Sequence, residues 1–303
     1  MRRTIPSTMA LQVFELAAKH ESFTRAAEDL SLTQSAVCRQ IAGLEDYLGL
    51  RLFRRTRRGV KLTDAGVSYS RRISARLDAV ERDTLSVMAH HGRGATIELA
   101  VVPTFATRWL LPRLGDFLAD NPDVTVNLTN RTRPFLFDDT EFDAALYFGD
   151  AGWPGTEAHF LMRENPLPVC SPRLLGGRDA LSPAEIARLP LLQQTTRPYA
   201  WRRWFESLGM RIGHDMTGAR HELFSMLAEA AIRDMGVALI PPFLIREELD
   251  SGRLVAPLRH AYLSDKAYYL IIPERKAETA ALSAFQHWLV EVAAAYRIEN
   301  GLG

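Results

Sequence analysis

The sequence predicts an α/β protein made of a small N-terminal winged helix-turn-helix, a long linker helix and a larger α/β domain. Three observations carry this. Apolar residues at helical spacing are broken by a three-residue turn at Ser31-Leu32-Thr33, an arginine-rich segment with one glycine follows, and from Ala95 onward β-branched runs alternate with helical patterns. The length of 303 residues also suits two domains.

From Thr8, residues Leu11, Phe14, Leu16, Ala17 and Ala18 predict an amphipathic helix ending near Glu21-Ser22. Phe23-Thr24 offers a Thr N-cap for a second helix through Ala26, Ala27 and Leu30, too short to be stable without a partner to pack on. After the turn, Thr33 caps a third helix, Gln34 to Leu48, whose Val37, Ile41, Leu44 and Leu48 form one buried stripe. Its opposite face begins with Thr33, Gln34, Ser35, Ala36, Arg39 and Gln40, short or donor-bearing side chains that can approach base edges and phosphates. Arg39 suits guanine, and Gln34 or Gln40 suits adenine. The spacing alone also fits an ordinary solvent-exposed face.

The basic run directly after this helix favours DNA recognition. Arg51, Arg54, Arg55, Arg57, Arg58 and Lys61 lie between Gly49 and Leu62 with no acidic residue among them. The segment reads as a wing, with Gly59 supplying the turn and Arg54, Arg55, Arg57 and Arg58 placed to meet phosphate or a narrow minor groove. The whole-chain charge of +1 hides this asymmetry. Residues 1–94 carry 16 Lys+Arg against 10 Asp+Glu, net +6, and residues 95–303 carry 21 against 26, net −5. Such a division is expected of a nucleic-acid-binding module joined to a domain with another task.

Thr63 caps a further helix in which Ile73, Leu77, Val80, Thr84 and Val87 follow steps of 4, 3, 4 and 3, the seam of paired helices. Two copies would zip along it into a homodimer suited to half-sites ~34 Å apart. Packing on the chain's own second domain is the alternative. His90-His91-Gly92-Arg93-Gly94 reads as a hinge, which divides the chain into residues 1–62, 63–94 and 95–303.

Composition narrows the class further. With 47% hydrophobic and 24% charged residues the chain is neither disordered nor collagenous. Its apolar stretches fall far short of the ~20 residues a membrane helix needs. Gln12, Glu15 and Lys19 interrupt any signal-peptide core, so no membrane partner and a cytoplasmic location are expected. Cys38 and Cys170, far apart, are expected to be two reduced thiols.

Phe23-Thr24-Arg25-Ala26-Ala27, Leu32-Thr33-Gln34-Ser35-Ala36-Val37 through Arg39-Gln40-Ile41, Leu44-Glu45, Leu48-Gly49, Leu52-Phe53-Arg54-Arg55 and Leu62-Thr63-Asp64-Ala65-Gly66 resemble the DNA-binding domain of LysR-type transcriptional regulators over about residues 5–90. Cys38 stands where the family usually has Ser. The resemblance implies a bacterial regulator with double-stranded promoter DNA as partner, a homodimer or homotetramer built as a dimer of dimers, and contact with RNA polymerase.

Beyond the hinge, strands are expected at Ile97–Val102, Val124–Leu128, Ala144–Phe148, Pro168–Cys170, Leu191-Leu192, Val237–Ile240 and Tyr268–Ile272, with helices at Leu110–Ala119, Leu223–Arg233 and Thr279–Tyr296. Strand, helix, strand implies a parallel unit whose ligand crevice lies at the strand C-termini. The region resembles the family's effector domain, a two-lobed fold similar to type 2 periplasmic binding proteins. The lobes would comprise about 95–165 with 267–303, and 166–266, the crossings lying near Asn165-Pro166 and Lys266-Ala267. Pro103 through Leu114 also resembles the subgroup that includes regulators of glycine cleavage and of β-lactamase induction.

The strand-end rule directs Thr104, Phe105, Thr129 to Thr132, Tyr147 to Gly149, and Thr195-Thr196 toward the crevice. Thr104 and Thr196 suit a carboxylate, the group the family's effectors often carry. Tyr199 and Trp201 are candidate pocket residues, whereas Trp204 with Phe205 is expected in the core and Arg131 and Arg133 in solvent or at a subunit contact. The candidate effector residues are therefore Thr104, Phe105, Thr132, Tyr147, Thr196, Tyr199 and Trp201, and the effector is an unidentified small molecule. No cofactor is expected.

No catalytic constellation is recognisable. Trp153 and Pro154 spoil any phosphate cradle at Gly149–Gly155, His159, His214 and His221 lack metal-ligand spacing, and Asp138-Asp139 and Glu247-Glu248 read as solvated pairs. The expectation is a non-enzymatic, ligand-responsive regulator. The alternatives are a regulator whose C-terminal domain only oligomerises, or a solute-binding protein.

Overall fold

The computed structural model describes residues 5–57, 59–90, 94–274 and 279–301, without the side chains of residues 82, 83, 86, 87, 89, 90 and 139. It divides into two compact units, Met1–Arg93 and Gly94–Gly303.

In the first unit α1 (Thr8–His20), α2 (Phe23–Asp29) and α3 (Gln34–Leu48) pack around Val13, Phe14, Ala17, Ala26, Val37, Ile41 and Leu44, while Leu48 is half-buried. The cap of α2 is Ser22, not Thr24. Its hydroxyl accepts the Arg25 N–H three residues on, a reach that Thr24, already inside the first turn, does not have. Thr33 caps α3 as expected, accepting from Ala36 N at 3.2 Å, and Gly49 at φ +68° ends it.

The wing is an antiparallel hairpin of β1 (Phe53–Thr56) and β2 (Gly59–Leu62), with Phe53 opposite Leu62 and Thr56 opposite Gly59. Gly59 is thus the first paired residue of β2, at φ +128°, and Arg58 lies outside the described residues. Phe53 fastens the hairpin to the helices by edge contacts with Phe14 and Phe23. Thr63 caps α4 (Asp64–His90) through the Gly66 N–H at 3.0 Å. A side chain at Gly66 would overlap the Leu52 carbonyl. Along α4, Ile73 and Leu77 are half-buried, whereas Val80, Leu85 and Met88 are more than half exposed. The Val87 side chain and most of the expected hinge lie outside the described residues.

In the second unit one sheet has the order β4-β3-β5-β11-β6 and the other β7-β10-β8-β9. Their strands are β3 (Ala95–Val101), β4 (Val124–Asn130), β5 (Ala144–Gly149), β6 (Thr156–Arg163) and β11 (Ala267–Pro273) in the first, and β7 (Leu167–Val169), β8 (Leu191–Gln194), β9 (Arg220–His221) and β10 (Val237–Ile240) in the second. β3 runs parallel to β4 and β5, and β11 antiparallel to β5 and β6. Two strands, β6 and β9, are absent from the sequence reading. β6 mixes Glu157, His159 and Arg163 with its apolar residues, and β9 has only two residues.

The helix after β3 starts at Pro103, not Leu110. Proline suits a first helical position, where no intrahelical N–H bond is lost. It runs through α5 (Pro103–Phe105), a π-helical turn (Ala106–Leu110) and α6 (Leu111–Asp120). Further helices are α7 (Pro183–Ile186), α8 (Ala200–Glu206), α9 (Phe224–Ile232), α10 (Arg246–Asp250) and α11 (Ala280–Asn300). One continuous core joins Leu99, Trp109, Phe117 and Phe285 of the first lobe to Leu192, Phe224, Leu227 and Ile240 of the second. The other face of the first sheet carries a separate cluster in which Phe135, Phe137, Tyr147 and Trp153 pack on Phe142, Ala145 and Ile271.

Among the described residues of the first unit Glu45 is the buried acid, only 6% exposed. Its Oε1 accepts the Leu52 and Phe53 N–H groups at 2.8 and 3.0 Å, and its Oε2 accepts Arg51 at 2.7 Å, so α3 is tied to the start of the wing. Burial opposes its charge, but the bonds from Arg51, Phe53 and Leu52 outweigh burial and hold the carboxyl below its ordinary 4.5. Since the unfolded chain keeps the higher pKa, this stabilisation is complete above pH 4.5 and is lost as pH falls through the lower folded value. Glu45→Ala strands two buried N–H groups and should cost the first unit about 1–3 kcal/mol at neutral pH in urea unfolding. It should also flatten the acid limb of the stability profile.

Candidate functional site

The third helix presents the surface its sequence forecast. Thr33, Gln34, Ser35 and Arg39 are exposed, and Ala36 and Gln40 are half-exposed. Exposed Ala42 and Gly43 prolong the strip of short side chains, and nothing lies within 4 Å of where a Cβ at Gly43 would stand. On the hairpin Arg54, Arg55 and Arg57 are exposed. The basic run is not uniformly free, however. Arg51 is held by Glu45, and Lys61 pairs with Glu21 at the end of α1, which anchors the wing. Cys38 is half-buried and Cys170 fully buried, and neither forms a disulfide. Burial pushes the Cys170 thiol up to about 11.

The second unit holds a cavity of about 510 Å³ between its two sheets. Thr104 and Phe105 from the start of α5, Thr132 after β4, Tyr147 of β5 and Thr195-Thr196 after β8 all line it, along with Arg133, Phe148, Gln194, Arg197, Arg220, Glu222, Phe224, Lys266 and Tyr268. Contacts close it from both sides. The Thr132 hydroxyl donates to Glu222 at 2.7 Å, and Thr104 Oγ1 accepts the Ser225 N–H at 3.3 Å. Phe105 lies stacked between Trp109 and Tyr268. Gly149 does not line the cavity. A Cβ there would overlap the Tyr147 ring, so glycine leaves that ring its place.

Two expected pocket residues lie elsewhere. Trp201 is core, 1% exposed, with its indole N–H donating to the Leu192 carbonyl at 2.9 Å and its ring stacked on Phe205. On α8 it packs, like Trp204, in a cluster with Leu191, Val237 and Leu239 of the second sheet. Tyr199 belongs to an adjoining cavity of about 160 Å³ that shares Phe148, Thr196, Arg197 and Lys266 with the larger one. Arg133, expected in solvent or at a subunit contact, is exposed and stands at the edge of the main cavity. Glu247 and Glu248 are not a solvated pair. Both bind Arg108, at 2.8 and 2.6 Å, and Glu248 is 3% exposed.

The residues missing from the sequence reading are mainly polar. Gln194 ends β8, where the strand-end rule would have pointed, but Glu164, Lys266 and Tyr268 sit at the two chain crossings and leave no periodic trace. Glu164 and Tyr268 form one buried network with Arg197. Arg197 donates to both Glu164 oxygens at 3.1 and 2.7 Å, and Tyr268 donates to the same carboxylate at 2.6 Å. The guanidinium also lies 3.5 Å over the Phe148 ring. Burial first, then the neighbouring carboxylate, pushes the Tyr268 phenol well above its ordinary 10, so it remains a donor. Burial works to lower the Arg197 pKa, but Glu164 outweighs it. Glu164→Ala strands a buried cation and should cost the second unit about 3–5 kcal/mol, read by chemical unfolding. The double change with Arg197→Met should recover part of that loss.

The comparisons agree with this division. The model described as "Bacterial regulatory helix-turn-helix protein, lysR family" matches residues 9–67, and "LysR substrate binding domain" matches residues 90–294. The glycine cleavage system transcriptional activator of Escherichia coli is 38% identical over 298 residues, 97% of this chain and 96% of its own. The transcriptional activator AmpR of Pseudomonas aeruginosa is 35% identical over 289 residues, 94% and 95% of the two chains. Neither family model describes a catalyst. Among solved structures, the effector domain of that AmpR superposes with a TM-score of 0.62 at 29% identity, covering 69% of this chain and 98% of its own. Full-length CbnR, solved with its target DNA, reaches 0.70 at 20% identity over 95% and 99%, which supports the fold. With one family model on each unit and such relatives over nearly its whole length, the chain belongs to the LysR family of transcriptional regulators, a helix-turn-helix domain followed by a substrate-binding domain.

Proposed function

We propose that this regulator reads double-stranded promoter DNA through Thr33, Gln34, Ser35, Ala36, Arg39 and Gln40 of α3, clamps the flanking backbone with the wing arginines, and is set by a small carboxylate-bearing effector in the cavity of the second unit. The observation that carries the reading is the α3 face. It is exposed, short-chained and donor-rich, beside exposed Arg54, Arg55 and Arg57, on a domain whose interior is complete without any of them. The regulator works in the cytoplasm, where promoters and RNA polymerase are, and catalyses no reaction. Effector binding acts through its differing affinity for two arrangements of the lobes.

Titration of promoter DNA across salt tests the DNA reading, since phosphate neutralisation makes affinity fall steeply as salt rises. Arg39→Ala should cost about 1–3 kcal/mol on the specific site and relax base choice, whereas Arg57→Ala should weaken specific and random DNA alike. Equal losses on both DNAs for Arg39→Ala would refute its reading role.

The active form is a homodimer joined along α4, and two dimers assemble into a tetramer. Uncovered Val80, Leu85 and Met88 support this, since apolar side chains on one stretch of helix gain from a partner. Val80→Asp should shift the protein toward monomer in analytical ultracentrifugation while leaving its circular dichroism unchanged.

A further inference from the structure

The cavity is strongly biased in charge. Arg133 comes from the loop after β4, Arg220 from β9, Arg197 from the segment after β8 and Lys266 from the crossing into β11, while Glu222 is the one acid on its wall. Arg197 is already neutralised by Glu164. Lys266 has only a long contact of 3.6 Å with Asp150, a carboxylate that is 79% exposed. The Arg220 side chain donates to the Met216 carbonyl, and among the described residues neither Arg220 nor Arg133 has an ion pair. Glu222 accepts the Thr132 hydroxyl and keeps its charge, which offsets one of the three remaining cations and leaves an excess of two.

That Thr132–Glu222 bond also fixes where the free charges are. Arg133 follows Thr132, and Arg220 precedes Glu222 by two residues, so cations from opposite lobes are brought to one rim. Deeper in, Gln194 is 6% exposed and its carboxamide oxygen is buried with no partner among the described residues. A buried acceptor left unpaired costs free energy that a ligand donor would recover. The Tyr147, Phe148 and Phe224 rings complete the wall.

We infer that the effector is a multiply charged anion: a small acid with at least two anionic groups, held at the rim by Arg133, Arg220 and Lys266, with an N–H or O–H directed inward to Gln194. This rests on the reading of the cavity as the effector site and adds the charge class. It also supplies a reason for ligand response. Without the anion the rim carries an excess of positive charge drawn from both lobes, and with it Arg133 and Arg220 are drawn to a shared ligand, so the ligand favours the arrangement in which the rim is closed. A single carboxylate neutralises one lobe's arginine and leaves the other facing it.

The test is a thermal-shift and calorimetric titration of the full chain, at constant ionic strength, with acetate, lactate, malonate, succinate, malate, citrate, inorganic phosphate and pyrophosphate. At least one di- or tri-anion should bind saturably and acetate and lactate should not. Comparing carboxylates with phosphates identifies the source of the charge. Malate binding more tightly than succinate would report the inward hydroxyl, and Gln194→Leu should erase that difference. Arg133→Ala and Arg220→Ala should each weaken the bound dianion about tenfold or more, while Arg211→Ala, an exposed arginine outside the cavity, leaves it unchanged. Thr196→Phe, which fills the cavity, separates the two levels. Dianion binding that survives Thr196→Phe would overturn the cavity reading itself. Binding lost in Thr196→Phe but indifferent to charge number and to both arginine variants would leave the cavity as the site and overturn the polyanion. Absence of saturable binding by every di- and tri-anion at millimolar concentration overturns it as well.

Discussion

The bond between Arg197 and Glu164 holds the second unit in its arrangement. A chain that leaves one sheet at Arg163, builds another, and returns at Ala267 has two thin crossings where little apolar surface can be buried. Here the first crossing carries Glu164, and its carboxylate accepts both the Arg197 guanidinium of the second lobe and the Tyr268 hydroxyl just past the second crossing. A pair this deeply buried gains little net stability over an apolar substitute, because desolvation offsets much of the attraction. Its contribution is geometric. The fork of Arg197 fits both carboxylate oxygens at once, and its lower face is closed by Phe148, which leaves few alternative positions for either crossing.

The first unit solves the same problem with the opposite charge at the centre. There a helix must be tied to a hairpin too small to hold itself, and the interior carboxylate of Glu45 receives two backbone N–H groups that no strand partner would satisfy. The two units thus each place one ion where the chain changes direction. In both, the apolar residues nearby supply most of the stabilisation, and the ion selects which of several similar packings is adopted.

Much of this was legible in the sequence where periodicity governs structure. The stripe Val37, Ile41 and Leu44 marked the buried face of α3, and by elimination the exposed one. The apolar runs from Ile97 and Val237 marked central strands. Legibility failed where a polar group's role depends on a distant segment. Thr24 and Ser22 are equally good caps by type, and only the path of the turn decides between them. Trp201 has an indole N–H that could face a ligand or a carbonyl, and Leu192 happens to lie in reach. Arg133 and Arg220 are separated by more than eighty residues, so their meeting at one rim is a property of the topology and of no local pattern. The edge strand β6 alternates too irregularly to be read without its neighbour β11.

The core shared by both lobes sets how the second unit can move. Leu99 and Trp109 are packed in the same apolar cluster as Phe224, Leu227 and Ile240, so the lobes are not beads on a string but halves of one solid. Wide opening would expose that cluster to water at about 25 cal/mol per Å² of apolar surface, several kcal/mol for even a few hundred Å². A small ligand with a modest affinity difference cannot drive that. Rearrangements that keep such a cluster covered are displacements of the order of one side chain, in which close-packed surfaces exchange one interlocking for another. Signal in such a molecule takes the form of a change in slope between two bodies, carried outward with small amplitude at its origin and enlarged only by the length of whatever lever is attached.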